Sequence, residues 1–361
     1  MTVAALEAGH FRIPLPATLS DSTHGRITHF ELITVRVRAA DGAEGTGYTY
    51  TVGVGGGAIR ALLEDLAPVV VGQDPERIEA IWDRLWWASH YVGHGGLAAF
   101  AISAIDIALW DLRGRRSGLP LWRLLGGHAP RVPAYAGGID LLFPLDRLLR
   151  QTEDHLARGF RAIKMKVGRP RLSEDVERVR ALRECLGPDR SLMVDANMRW
   201  SVDEAIRASR AFAAHAVHWL EEPTAPDDVA GHVRIVRDGA LPVAAGENLR
   251  TVGEFARLIG AGGVTFPEPD VSNVGGVTAW LKVAHLAEAH NLPVTSHGVH
   301  DLHVHLLAAV PNASYLEVHG FGLERFIAHP LDLVDGQAVA PERPGHGVEL
   351  DWRGLGALRV G

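Results

Sequence analysis

Lys166, Asp195, Glu221, Glu247, Asp270 and His297 follow one another along the C-terminal two-thirds of the chain at intervals of 29, 26, 26, 23 and 27 residues. Each interval is about the length of one strand, one helix and two loops. Every one of these groups therefore sits at the equivalent point of a successive βα unit. In a closed (β/α)8 barrel that point is the C-terminal end of a strand, and residues distant in sequence converge there on one mouth.

The apolar pattern agrees with this period. From Val132 onward, short apolar strands alternate with helices: Pro133–Ala136, Ala162–Val167, Leu192–Asp195, Val217–Glu221, Val243–Glu247, Val264–Pro267, Pro293–Ser296 and Tyr315–Glu317. Residues before about 125 read differently. Strands at Leu32–Val37 and Gly45–Thr51, joined by the turn at Ala40-Asp41-Gly42, precede helical periodicity at Ile59–Val71, Ile78–Trp87 and Leu97–Leu112. The expected fold is α/β: an N-terminal α+β domain over 1–125, a (β/α)8-type barrel over 126–331, and a Pro- and Gly-rich segment over 332–361 that packs back on the first domain.

Composition excludes several classes. The 361 residues, 47% of them hydrophobic, suffice for a barrel and one smaller domain. Cys185 is the single cysteine and cannot form an internal disulfide, and no apolar run approaches a membrane span. A net charge of −7 with scattered Lys and Arg leaves no basic stripe for nucleic acid. Met1 to His10 carries Glu7 and lacks a basic region before an apolar core, so no export signal is read and the cytoplasm is expected.

Lys164 and Lys166 stand two residues apart in one strand, so both ammonium groups face the barrel interior. Burial and like charge both favour the neutral amine, which would let one of them act as a base. Asp195, Glu221 and Glu247 end three consecutive strands. Three carboxylates in one mouth repel unless a cation sits among them, and hard oxygen ligands in this number suit Mg²⁺. Glu222 competes with Glu221, and strand alternation favours the first. Asp270 and His297 end neighbouring strands and can pair, the carboxylate fixing the imidazole tautomer. His297, His300, His303 and His305 allow a second reading as a transition-metal cluster, although they run from a loop into a helix. Glu317, at the eighth strand, is placed to donate or accept a hydrogen bond at a substrate.

These residues resemble the enolase superfamily, mandelate racemase subgroup, over nearly the whole chain. The stretches Ile102–Leu112 (ISAIDIALWDL), Met193–Asn197 (MVDAN), Leu220–Pro223 (LEEP) and Gly275–Trp280 (GGVTAW) carry the same likeness. The resemblance implies a capping domain over a barrel and one Mg²⁺ at Asp195, Glu221 and Glu247. It implies abstraction of a proton α to a carboxylate through Lys166 and His297, the charge being stabilised as an enediolate. Lys164 would offset charge on the substrate carboxylate, Asp270 would orient His297, and Glu317, if protonated, would donate to the other carboxylate oxygen. The expected partner is a small carboxylic acid, with no nucleic acid or membrane, and the expected assembly is a homo-oligomer.

The segment expected to cover the site, Pro16–Ile27, offers Asp21, His24 and Arg26 among other polar groups, and Asn197 lies beside Asp195. These four are the expected substrate-binding residues, and Trp86, Trp87 and His90–His94 an expected second rim. A polar lid suits a polyhydroxylated acid better than an aryl one, and the pattern resembles the acid-sugar dehydratases of the subgroup, such as those acting on galactarate and talarate. The leading expectation is dehydration of an aldonate or aldarate to a 2-keto-3-deoxy acid. Racemisation or epimerisation of a 2-hydroxy acid is the alternative, and a silent metal-binding barrel a third reading.

Overall fold

The computed structural model of the chain describes residues 2–319 and 321–360. An antiparallel sheet opens the molecule in the order β1 (Val3–Asp21), β2 (Gly25–Ala39), β3 (Glu44–Thr51). β1 escapes the alternation reading because Pro14 and Pro16 interrupt it. As an edge strand it tolerates both, and its register with β2 shifts between Pro14 and Leu19. Pro16–Ile27 is therefore the tip of a long β1–β2 hairpin.

Three helices cover this sheet: α1 (Gly56–Val70), α2 (Ile78–Ala88) and α3 (Leu97–Ser117). α1 buries Ile59, Leu63, Leu66 and Val70, one stripe at helical spacing. α3 is buried almost all round because it lies between the sheet and the barrel. Its alanines let β3 approach closely: a Cβ at Gly47 would stand 2.1 Å from the Ala104 carbonyl oxygen and one at Gly45 2.1 Å from that of Ala108. Gly47→Ala is accordingly expected to destabilise the chain by about 3 kcal/mol or more, read from the denaturant midpoint. A midpoint equal to the parent's would mean that strand and helix separate freely.

The parallel barrel runs through β4 (Arg131–Gly137), β5 (Ala162–Lys166), β6 (Ser191–Asp195), β7 (Val217–Glu221), β8 (Val243–Ala245) and β9 (Phe266–Pro267). Its seventh position, expected as a strand over Pro293–Ser296, narrows to a single bridge between Val294 and Ala313 and a bond from Thr295 N–H to the Pro267 oxygen, 3.0 Å. β10 (Leu316–Val318) then pairs with β4, Glu317 opposite Tyr135, and completes the ring. β8 is shorter than expected because Gly246, at φ +149°, turns the chain and carries Glu247 beyond the ladder. Helices follow the strands; the one at Val252–Gly260 starts at a reciprocal cap in which Glu254 N–H donates to Thr251 Oγ1 and Thr251 N–H to Glu254 Oε2, 3.2 and 2.8 Å.

After the barrel, β11 (Asp332–Val334) and β12 (Gln337–Val339) form a hairpin whose second strand pairs antiparallel with β4. The tail then bonds to the N-terminal domain: His346 Nε2 lies 2.6 Å from the Thr46 oxygen, and Arg12 N–H donates to the Leu358 oxygen at 3.0 Å. No helix among the described residues is long and apolar enough to cross a membrane.

Candidate active site

β5 turns Lys164 and Lys166 inward, both buried. Lys164 Nζ contacts Glu221 Oε1, stands 2.7 Å from Glu317 Oε1 and 3.5 Å from Asp195 Oδ2. Lys166 Nζ contacts Asp195 Oδ2, and its N–H donates to Asp140 Oδ1 at 3.0 Å. Burial and the like charge of each neighbour were expected to favour neutral amines. Burial does act in that direction, but the carboxylates from β6, β7 and β10 outweigh it, and both lysines are held above the usual range.

The three strand-end carboxylates come together: Asp195, Glu221 and Glu247 each bring an oxygen within 4.8 Å of the others. Burial pushes Asp195 up, yet Lys166 and Lys164 prevail and hold it at about 2. Burial, with the charges of Asp195 and Glu317, pushes Glu221 up to about 8 in spite of Lys164. The interior thus holds more negative charge than its two lysines neutralise. That excess, an anionic all-oxygen donor set, and the buried, unpaired Asn197 Oδ1 beside it fit a hard divalent cation. Glu222 is buried too, but at φ +40° it leaves the strand alternation and accepts from Asn248 Nδ2 at 2.8 Å.

Beside this trio stands the imidazole of His297, Nδ1 3.1 Å from Asp270 Oδ2 and Nε2 3.1 Å from Glu247 Oε2. Burial pulls its proton affinity down, but Glu247, Asp270 and Glu317 together raise it to about 10. Asp270 is fixed from behind: Ser272 donates to Oδ1 from its N–H and its hydroxyl, 2.8 and 2.7 Å, and the hydroxyl of Tyr50, on β3, donates to Oδ2 at 3.1 Å. Glu317 Oε2 accepts the Gly298 N–H at 3.0 Å. Burial raises this carboxyl, but Lys164 above all, with His297, holds it well below the usual range. In this arrangement it acts as an acceptor, one of the two roles, donor or acceptor, expected for it.

The β1–β2 hairpin tip is stapled to the barrel: Ser22 Oγ donates to the Ala196 oxygen at 2.6 Å and Thr23 Oγ1 to that of Asn197. Asn197 and Met198 are held at φ +42° and +63°, backbone strain at the end of β6. Asp21 accepts the His24 N–H at 2.6 Å and faces its Nδ1 at 2.9 Å, a contact that raises the imidazole. Asp21, His24 and Asn197 line one cavity together with Lys166, Glu247, His297 and Glu317.

Arg26 does not join them. Strand alternation turns its neighbour Ile27 to the cavity and leaves Arg26 exposed. Trp86, Trp87 and His90–His94 are not among the residues lining this cavity either; Trp86 stacks on His94 at 3.8 Å. The histidine-cluster reading also fails. His303 Nε2 accepts the Val271 N–H at 2.9 Å and its Nδ1 pairs with the Gly298 oxygen, whereas His305 bonds Trp122 N–H and the His346 oxygen. Missed were Tyr50, His319 and an apolar wall of Ile27, Val52, Ile139 and Phe321. Alternation counted on from Glu317 would have found His319; the others depend on how the first domain seats on the barrel.

Residues 8–126 match the family described as "Mandelate racemase / muconate lactonizing enzyme, N-terminal domain", and residues 147–354 that described as "Enolase C-terminal domain-like". The chain belongs to the enolase superfamily, mandelate racemase subgroup. Within this family it is 58% identical to a 3,6-anhydro-alpha-L-galactonate cycloisomerase of Streptomyces coelicolor, over 97% of this chain and 98% of that one. A structure described as a racemase from Streptomyces coelicolor A3(2) with bound magnesium superposes with a TM-score of 0.97 at 56% identity, covering 99% of this chain and 100% of that one. L-talarate dehydratase from Polaromonas sp. JS666, solved with Mg and L-glucarate, follows at a TM-score of 0.95 and 34% identity, covering 100% and 98%.

Proposed function

We propose that the chain removes the proton α to the carboxylate of an acid sugar and expels the oxygen on the next carbon, with one Mg²⁺ at Asp195, Glu221 and Glu247. The observation that carries this reading is the opening of two proton-carrying side chains from distant barrel positions, Lys166 and His297, onto one cavity beside the carboxylate trio. When bound, Mg²⁺ offsets the charge that gathers on the substrate carboxylate as the α-proton leaves. Lys164 adds a second positive charge at that carboxylate. Lys166 parts from Asp195, the carboxylate that most holds its proton, and as the neutral amine takes the proton from C2. His297, oriented by Asp270, gives a proton to the departing oxygen.

Two leaving oxygens fit this chemistry, and identity favours the cyclic one, at 58% to the cycloisomerase against 34% to the dehydratase. In a 3,6-anhydro acid the oxygen on C3 is bridged to C6. Loss of the C2 proton and cleavage of the C3–O bond open the ring, the oxygen stays on C6 as a hydroxyl, and the C2 enol becomes a ketone. Nothing leaves the molecule, so the product is an isomer. The apolar wall of Ile27, Val52, Ile139 and Phe321 suits such a compact ring.

Dehydration is the second reading, in which the oxygen on C3 is a free hydroxyl and departs as water. Asp21 and His24 at the cavity support it, as polar groups suited to an open polyhydroxylated chain. Mass spectrometry of products from 3,6-anhydro-L-galactonate and from galactarate separates the two. A 2-keto acid of unchanged mass from the first is the expected result. A product one water lighter from galactarate alone would favour dehydration, and α-hydrogen exchange with neither product would favour racemisation.

A further inference from the structure

His319 lies two residues beyond Glu317 where the barrel closes, only 7% exposed and on the wall of the same cavity. Neither of its ring nitrogens has a hydrogen-bond partner among the described residues. Nε2 stands 3.5 Å from Glu317 Oε2, which accepts the Gly298 N–H instead. The ring is held on edge against Phe321 at 4.7 Å and lies 5.7 Å from the ring of His297, so packing fixes its place. Burial, followed by opposing effects from Glu317 and His297, leaves it neutral, with its proton affinity lowered to about 3. A neutral imidazole offers one N–H donor and one lone-pair acceptor. Buried polar atoms without partners are rare in folded proteins, and beside a binding cavity a ligand is what completes them.

A hydroxyl is the group that both donates and accepts; a carboxylate only accepts, and an aryl ring does neither. We propose that His319 is a specificity-determining residue that hydrogen-bonds a hydroxyl of the sugar chain beyond C2. This rests on the acid-sugar reading of the site. His319 thereby separates polyhydroxylated acids from aryl 2-hydroxy acids, which share the carboxylate and α-hydroxyl and have no hydroxyl further along.

The test compares the full Mg²⁺-loaded chain with its variants on three probes, 3,6-anhydro-L-galactonate, galactarate and mandelate, by calorimetric Kd and, for the sugars, KM and kcat. His319→Phe keeps the ring and its packing on Phe321 but loses both nitrogens. It is expected to weaken binding of a sugar acid about ten-fold, to raise KM more than it lowers kcat, and to leave mandelate binding unchanged. His319→Gln, which keeps a donor and an acceptor, is expected to recover most of the loss. Should the phenylalanine variant not fold, His319→Leu carries the same contrast. Equal weakening of mandelate and sugars, or no weakening of either sugar, overturns the proposal alone. Failure of the parent chain to bind either sugar acid overturns both this proposal and the substrate class on which it rests.

Discussion

Replacing Lys166 with Met is expected to lower kcat about 10²- to 10⁴-fold on whichever acid sugar the chain turns over, the usual range for a lost proton-transfer group. His297→Asn should do the same for elimination, but through a different step. Without Lys166 the C2 proton has no acceptor on its side of the cavity. Without His297 the departing oxygen has no donor, although proton removal at C2 remains open. Lys166→Arg should not rescue, because a guanidinium does not give up its proton. Unchanged circular dichroism in each variant would assign the loss to chemistry. Turnover within ten-fold of the parent in Lys166→Met would remove that residue from the reaction.

The second large effect is that of removing the cation. Chelation is expected to abolish turnover and Mg²⁺ to restore it, because Asp195, Glu221 and Glu247 bring three anionic oxygens within 4.8 Å of one another and two lysines do not neutralise the surroundings. A readout independent of activity follows from linkage. Mg²⁺ bound only by the folded chain raises its stability by about 2.7 kcal/mol at a hundred times Kd, so Tm should rise with Mg²⁺ in the parent. In Asp195→Asn combined with Glu247→Gln that rise should vanish. A Tm that responds to Mg²⁺ equally in both proteins would place the ion elsewhere.

What the chain reveals before folding is uneven, and the unevenness has physical causes. The barrel period was legible because each repeat ends its strand on a residue type that a hydrophobic core would not otherwise hold. The charge state of Lys164 and Lys166 was not, because it is decided by carboxylates that arrive from β6, β7 and β10. Two lysines in one strand look like mutual repulsion; in the folded interior each is a counterion. β1 was hidden by Pro14 and Pro16, which forbid a central strand but not an edge. Arg26 and Ile27 show a further limit. The polar composition of the hairpin tip was plain, but which side it shows the cavity depends on how the hairpin lies across the barrel, and Ile27 rather than Arg26 faces inward. Tyr50 was invisible for the same reason, since its bond to Asp270 spans 220 positions of sequence.

The proposed reaction divides between Lys166 as the base at C2 and His297 as the proton donor to the C3 oxygen. Its most direct test is NMR of 3,6-anhydro-L-galactonate in D₂O with Mg²⁺ and the His297→Asn chain. The C2 hydrogen is expected to exchange for deuterium while the ring stays closed, and adding Lys166→Met to His297→Asn is expected to stop the exchange. Ring opening at the parent rate in His297→Asn, or C2 exchange that survives the loss of both Lys166 and His297, would contradict it.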